Sequence, residues 1–218
     1  MVDLQRKKIK RDKSINVLAI AAHPDDIEYG CGGTLIRHSQ AGNHVFLLIM
    51  SNGEAGGDPD IREKEQEAAA KIIGAEDLFW GGYQDTRLGS SRELIIRLEN
   101  IIHKVNPDII LVNHRYDTNQ DHRKLADATI SATRHEKNLL FFEGPTTYNF
   151  VANIFVDITS ILQQKLETLK AHYSQITKTN INSMSILELA TSTANFRGIQ
   201  SRVKYAEGFI SSRLFINI

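Results

Sequence analysis

The chain has 218 residues and carries 26 Lys and Arg against 26 Asp and Glu, so its formal charge is zero and offers no broad field for nucleic acid or an anionic membrane surface. Its length and 41% hydrophobic composition suit one globular domain with a sizeable core, and its single cysteine, Cys31, excludes an intrachain disulfide and a cysteine-rich zinc site. No apolar stretch reaches the length of a membrane span and the start, MVDLQRKKIKRDKS, has no apolar leader segment, so the expectation is a cytoplasmic protein with a basic arm over residues 1–13.

Residues 15–22, INVLAIAA, form a short continuous apolar run, the pattern of a strand buried on both faces. A helix is expected over 32–40, ended by Ala41-Gly42-Asn43. Residues 44–50, HVFLLIM, read as a second buried strand, and the loop 51–60, SNGEAGGDPD, leads into a helix over 62–73. A short strand over 77–80 precedes 91–105, where Leu94, Ile95, Leu98, Ile101 and Ile102 recur at helical spacing until Asn106-Pro107 stops them. Residues 108–112, DIILV, make another buried strand and 121–134 another helix; in the last third, 152–156 reads as a strand and 160–172 and 186–197 as helices. Strands alternating with helices predict an α/β fold: a Rossmann-like, mainly parallel sheet with helices on both faces, in a single domain over 14–218.

In such sheets ligands bind at the carboxyl ends of the strands. His23-Pro24-Asp25-Asp26 begins where the first strand stops, Asn52–Glu54 follows the second, and residues 114–122 follow 108–112. Three polar groups far apart in sequence therefore converge on one edge. Pro24 fixes its own φ and holds His23 extended, so a rigid turn can aim both His23 and an aspartate at one point. With His122 at the start of a later helix, two imidazoles and one carboxylate make a three-ligand set with an open position, the pattern of a catalytic zinc site. Ferrous iron suits the same set; zinc is favoured because hydrolysis needs no redox partner. One aspartate of the pair is then left to act as general base beside metal-activated water.

The string AHPDD with GGTL downstream, then NGE and DTNQDHR, resembles the LmbE-like (PIG-L) zinc-dependent de-N-acetylases, strongly over about residues 14–134 and weakly through KLETLKAHYSQ to YAEGF. The resemblance implies removal of acetyl from an N-acetylglucosamine-type sugar or conjugate, by an enzyme whose partner is a small N-acetylated molecule. It assigns His23, Asp26 and His122 to the metal and Asp25 to the general base. It matches Arg62 to a substrate-holding arginine and Asp85 to an aspartate near the substrate. Glu54 of the NGE loop and His172 of KAHYSQ are further candidates for the substrate pocket. One departure is clear: many family members carry a histidine three positions before the ligand histidine, and here that position is Asn119. Its amide can donate to an oxyanion but cannot deliver a proton at neutral pH, which leaves that task to Asp25, His114 or His172. Asp121, which in the family orients the missing histidine, is then available to brace a ligand imidazole.

Plainer readings compete. Helix capping explains one of the paired aspartates, not His-Pro with two. Gly30, Gly32 and Gly33 lack the spacing of a phosphate loop and suit close helix–sheet packing. Arg62 can pair with Glu65 or Glu67, and Glu54 can be a turn residue. A receiver domain also places an acidic pair after its first strand, but it needs an aspartate at the end of the third strand, and 77–80 runs into Gly81-Gly82 instead. The second functional reading is a metal-binding, catalytically weakened relative acting as a binding protein. A homo-oligomer is expected on general grounds alone.

Overall fold

The structure, a computed structural model, describes residues 14–89 and 92–215. The expected basic arm over 1–13 lies outside the described residues, as does Ser91 at the expected start of the third helix. In chain order the elements are β1 (Asn16–Ala21), α1 (Asp26–Gln40), β2 (His44–Ser51), α2 (Pro59–Ile73), β3 (Asp77–Tyr83), α3 (Arg92–Val105) and β4 (Ile109–Asn113). They continue with α4 (Gln120–Ala132), β5 (Leu139–Phe142), β6 (Ile154–Asp157), α5 (Leu162–Ala171), a 3-10 turn (Tyr173–Gln175), α6 (Ile186–Ser201) and β7 (Ala206–Arg213).

The strands form one seven-stranded sheet in the order β3-β2-β1-β4-β5-β7-β6. β3 through β5 pair in parallel, and β7 runs antiparallel between β5 and β6. The apolar run of β1 is continuous because both its faces are covered. Val17, Ala19 and Ala21 pack with Ile27, Cys31 and Leu35 of α1 and Ile73 of α2. Leu18 and Ile20 pack on the other side with Leu94 and Leu98 of α3 and Leu125 of α4. The predicted Rossmann-like sheet with helices on both faces is thus the observed one. Among the described residues no helix is long and apolar enough to cross a membrane.

Three features differ from the expectation. α1 begins at Asp26, six residues before the expected start at 32. Its glycines have low intrinsic helix preference, which masks the first turns in the sequence. They are there for proximity: a Cβ on Gly30 would run into the Phe142 ring of β5, and one on Gly33 would stand 2.9 Å from Ile158. β5 and β7 were not expected. β5 is only LLFF, and β7 carries Gly208, Ser211 and Ser212 in an irregular alternation, so neither shows a strand period of its own.

The order of strand succession reverses between the parallel neighbours β1 and β4: β2 and β3 lie beyond one, β5 beyond the other. The crevice at the carboxyl ends of β1 and β4 is the switch point where doubly wound folds bind ligands. His23 leaves β1 there and His122 opens α4 there.

Candidate active site

The turn after β1 and the start of α4 bring three donor atoms together. His23 Nδ1 lies 3.3 Å from His122 Nε2, His122 Nε2 lies 3.1 Å from Asp26 Oδ2, and His23 Nδ1 lies 3.5 Å from Asp26 Oδ2. Zinc bonds of 2.0–2.1 Å in a tetrahedron set ligand atoms about 3.4 Å apart, so these edges fit one ion with a fourth position open. A second trio, His23, Asp85 and Asp121, is also close enough to hold a cation. It uses the other nitrogen of the same ring, and His23 Nε2 stands at hydrogen-bond distance from Asp85 Oδ1, 2.9 Å, with Asp121 Oδ2 at 3.6 Å. Those two carboxylates therefore suit a role behind the ring: Asp85 is close enough to fix its tautomer and leave Nδ1 for a metal, and Asp121 adds negative charge beside it. Asp117 Oδ2 lies 3.2 Å from His122 Nδ1, on the side of that ring away from the trio.

All three donors are nearly buried, and carboxylates surround the rings. Burial disfavours the charged form of His23, but Asp121, Asp26 and Asp85 outweigh it and raise its pKa well above the ordinary value. Burial likewise opposes His122, yet Asp26 and Asp117 lift it to about 9. Asp26 is pushed far below the carboxylate range, because the two histidines overcome the burial that would raise it. A divalent ion on these atoms would bind neutral imidazoles and displace any proton they carry.

Asp25 sits at the N-cap of α1 in the left-handed region, φ 85°, and its side chain makes no capping hydrogen bond. Its carboxylate faces the crevice, with 28% of the side chain exposed. Burial raises its pKa to about 6, against the pull of the Arg62 and His172 charges. Arg62 comes from α2, donating from Nη1 to the Gly53 carbonyl at 2.6 Å and from Nη2 to the Pro24 carbonyl at 2.8 Å and Asp25 Oδ2 at 3.3 Å. It pairs with neither Glu65, which accepts from Ser174, nor Glu67.

The cavity over this cluster has a volume of about 400 Å³, and His23, Asp25, Asp26, Arg62, Asp85, Asn119 and His122 all line it. A second space of about 820 Å³ adjoins it and shares Ala55, Gly56, Gln175, Lys178 and Asn180 with it. Asn119 caps α4: its Oδ1 accepts from the Asp121 amide at 2.9 Å, which orients its Nδ2 as the remaining donor. Glu54 and His172 do not line the cavity. Glu54 Oε1 accepts from the Asp85 amide and ties two loops together, the turn role weighed for it above. His172 is 1% exposed and lies against Glu28 behind Asp25. His114 is also withdrawn, boxed edge-on by Tyr116, Phe141 and Phe150. Sequence reasoning missed Asp117. It lies inside the DTNQDHR string, and its two hydrogen bonds from Thr146 and Thr147 show only once the fold brings a distant loop to it.

A family model described as PIG-L: GlcNAc-PI de-N-acetylase matches residues 18–133. The uncharacterized deacetylase YaiS of Escherichia coli (strain K12) is 34% identical over 172 residues, covering 75% of this chain and 93% of that protein. The crystallised N,N'-diacetylchitobiose deacetylase from Pyrococcus horikoshii superimposes with a TM-score of 0.82 at 27% identity, over 91% of this chain and 84% of that one. The 4-oxalmesaconate hydratase of Pseudomonas putida is 23% identical over 237 residues, covering 90% of this chain and 88% of that protein.

Proposed function

We propose, from the premise that the chain belongs to the PIG-L family of deacetylases, that it removes the acetyl group from an N-acetylglucosamine-type sugar or conjugate, with zinc held by His23, Asp26 and His122. The observation that carries the reading is the trio of donor atoms at tetrahedral spacing with the Asp25 carboxylate beside it.

When bound, a divalent ion supplies Lewis-acid polarisation of the acetyl carbonyl and acidifies water. Asp25 takes the proton from the attacking water and returns it to the departing amine. A carboxyl whose pKa lies near 6 can do both near neutral pH. Arg62 keeps that carboxylate aimed at the crevice and favours its ionised form. The Asn119 Nδ2 group donates to the oxygen that becomes negative in the tetrahedral state, replacing the charged histidine of other members by a neutral donor. With His114 and His172 both withdrawn from the cavity, Asp25 is the group left to move protons. The adjoining space offers room for a group attached to the acetylated ring.

The test is acetate release from a panel of N-acetylated sugars and conjugates, after chelation and again after zinc is restored. Restored, zinc-dependent release supports the reading. Full zinc occupancy with no acetate from any N-acetyl compound would overturn it, and hydration of an unsaturated carboxylic acid by the same protein would instead place it with the hydratase branch. The second reading, a metal-binding protein with weakened chemistry, rests on Asn119 alone.

A further inference from the structure

One peptide bond in the site is held from both ends by one helix. The Pro24 carbonyl accepts from Arg62 Nη2 at 2.8 Å, and the Asp25 amide of the same peptide donates to Gln66 Oε1 at 3.3 Å. Arg62 and Gln66 are four residues apart on α2, so they project from the same face one turn apart. That peptide precedes the one non-glycine residue of the catalytic turn with a positive φ, Asp25 at 85°. A left-handed aspartate is tolerated but unfavourable, and it persists where its surroundings over-determine it.

Gln66 is itself fixed. It is fully buried, and its Nε2 donates to Glu28 Oε1 at 2.7 Å. A glutamine amide turned over would set its oxygen against Glu28 and its NH2 against the Asp25 amide, so Glu28 decides which end faces Asp25. Glu28 is also fully buried, and its second oxygen faces His172 Nε2 at 3.4 Å. Neither Gln66, Glu28 nor His172 lines the cavity. Three buried polar side chains, none of which meets substrate, thus end on the backbone of the proposed base.

We propose that Gln66 is the positioning residue for Asp25: with Arg62 it sets the Pro24–Asp25 peptide plane, and Glu28 backed by His172 sets the orientation of its amide. The inference rests on the reading of Asp25 as general base. Its geometric half does not, because the turn is held in the same way whatever Asp25 does.

Gln66→Met keeps the bulk and removes both hydrogen bonds. The expected result is a kcat lower by roughly ten- to a hundredfold, the scale of a misplaced catalytic group, with KM and zinc content unchanged. In an Asp25→Ala background the same substitution lowers the residual rate no further. Hydrogen exchange of the Asp25 amide, followed by NMR, speeds up in Gln66→Met. Where Gln66→Met fails to fold, Gln66→Asn, which retracts the amide by one methylene, gives the same readings. An unchanged kcat, or an equal fold-loss with and without Asp25, overturns the proposal; so does unaltered exchange at the Asp25 amide. If Asp25→Ala alone leaves acetate release intact, the catalytic reading of Asp25 has failed, and the exchange measurement still decides whether Gln66 holds the turn.

Discussion

Behind the active site, Glu207 of β7 and Lys165 of α5 form an ion pair at 2.5 Å, with Glu207 4% and Lys165 2% exposed. Glu207 also accepts from the amides of Gly33 and Thr34 at 2.9 and 2.7 Å and from the Thr34 hydroxyl at 2.6 Å, while Lys165 donates to the Tyr29 carbonyl at 2.6 Å. The pair therefore pins the middle of α1, the helix that starts with Asp26. Replacing Glu207 by Met strands a buried ammonium and leaves two amides and a hydroxyl without their acceptor. Removing one partner of a buried ion pair costs about 3–5 kcal/mol. For a chain of this size each kcal/mol moves the midpoint by about 2–4 °C, so the thermal midpoint should fall by roughly 6–20 °C. Lys165→Met should cost less, because Glu207 keeps its two amides and the hydroxyl. The double variant should cost less than the sum, because no buried charge is left unpaired. Circular dichroism melts of the four proteins measure all three. A Glu207→Met midpoint within about 2 °C of the parent, or a Lys165→Met cost larger than that of Glu207→Met, would show that the pair does not pin α1.

Two further expectations concern the site. In protein stripped of metal, the folded-state pKa of His122 near 9 exceeds its unfolded value of 6.5, so its stabilising contribution is full below pH 6.5 and is lost as pH rises through 9. That loss amounts to at most roughly 3 kcal/mol, and added zinc, which needs neutral imidazoles, should reverse the slope; melts across pH 6–9 with and without zinc decide it, and parallel curves would contradict the assignment. Asn119→Asp would place a negative charge where the oxyanion forms and should lower kcat by about tenfold or more without loss of zinc, whereas Asn119→His should raise it; an inert position 119 in acetate-release assays would remove it from the chemistry.

The trio of candidate donors was legible because its chemistry is concentrated. A histidine, a proline and two aspartates directly follow a strand buried on both faces, and a second histidine opens a helix after another such strand. Groups scattered along the chain were legible only by analogy or not at all. Asp85 was expected against substrate, and the fold sets it against His23 Nε2 as well as at the cavity wall. Gln66 has no local signal, because the Asp25 amide that it holds lies about forty positions away, and Asp117, although inside the DTNQDHR string, is fixed by threonines about thirty positions on. Glu207 is hidden for the same reason, and it sits on β7, a strand too irregular to show a period. The start of α1 was obscured by the glycines that let it approach β5, a packing demand that overrides helix preference.

On the proposed function His23, Asp26 and His122 hold one catalytic ion. Elemental analysis of the purified protein, beside His122→Ala, tests it most directly. The expected result is about one zinc per chain in the parent and loss of most of it in the variant. Equal metal content in the two proteins, or none in the parent after incubation with zinc, would contradict it.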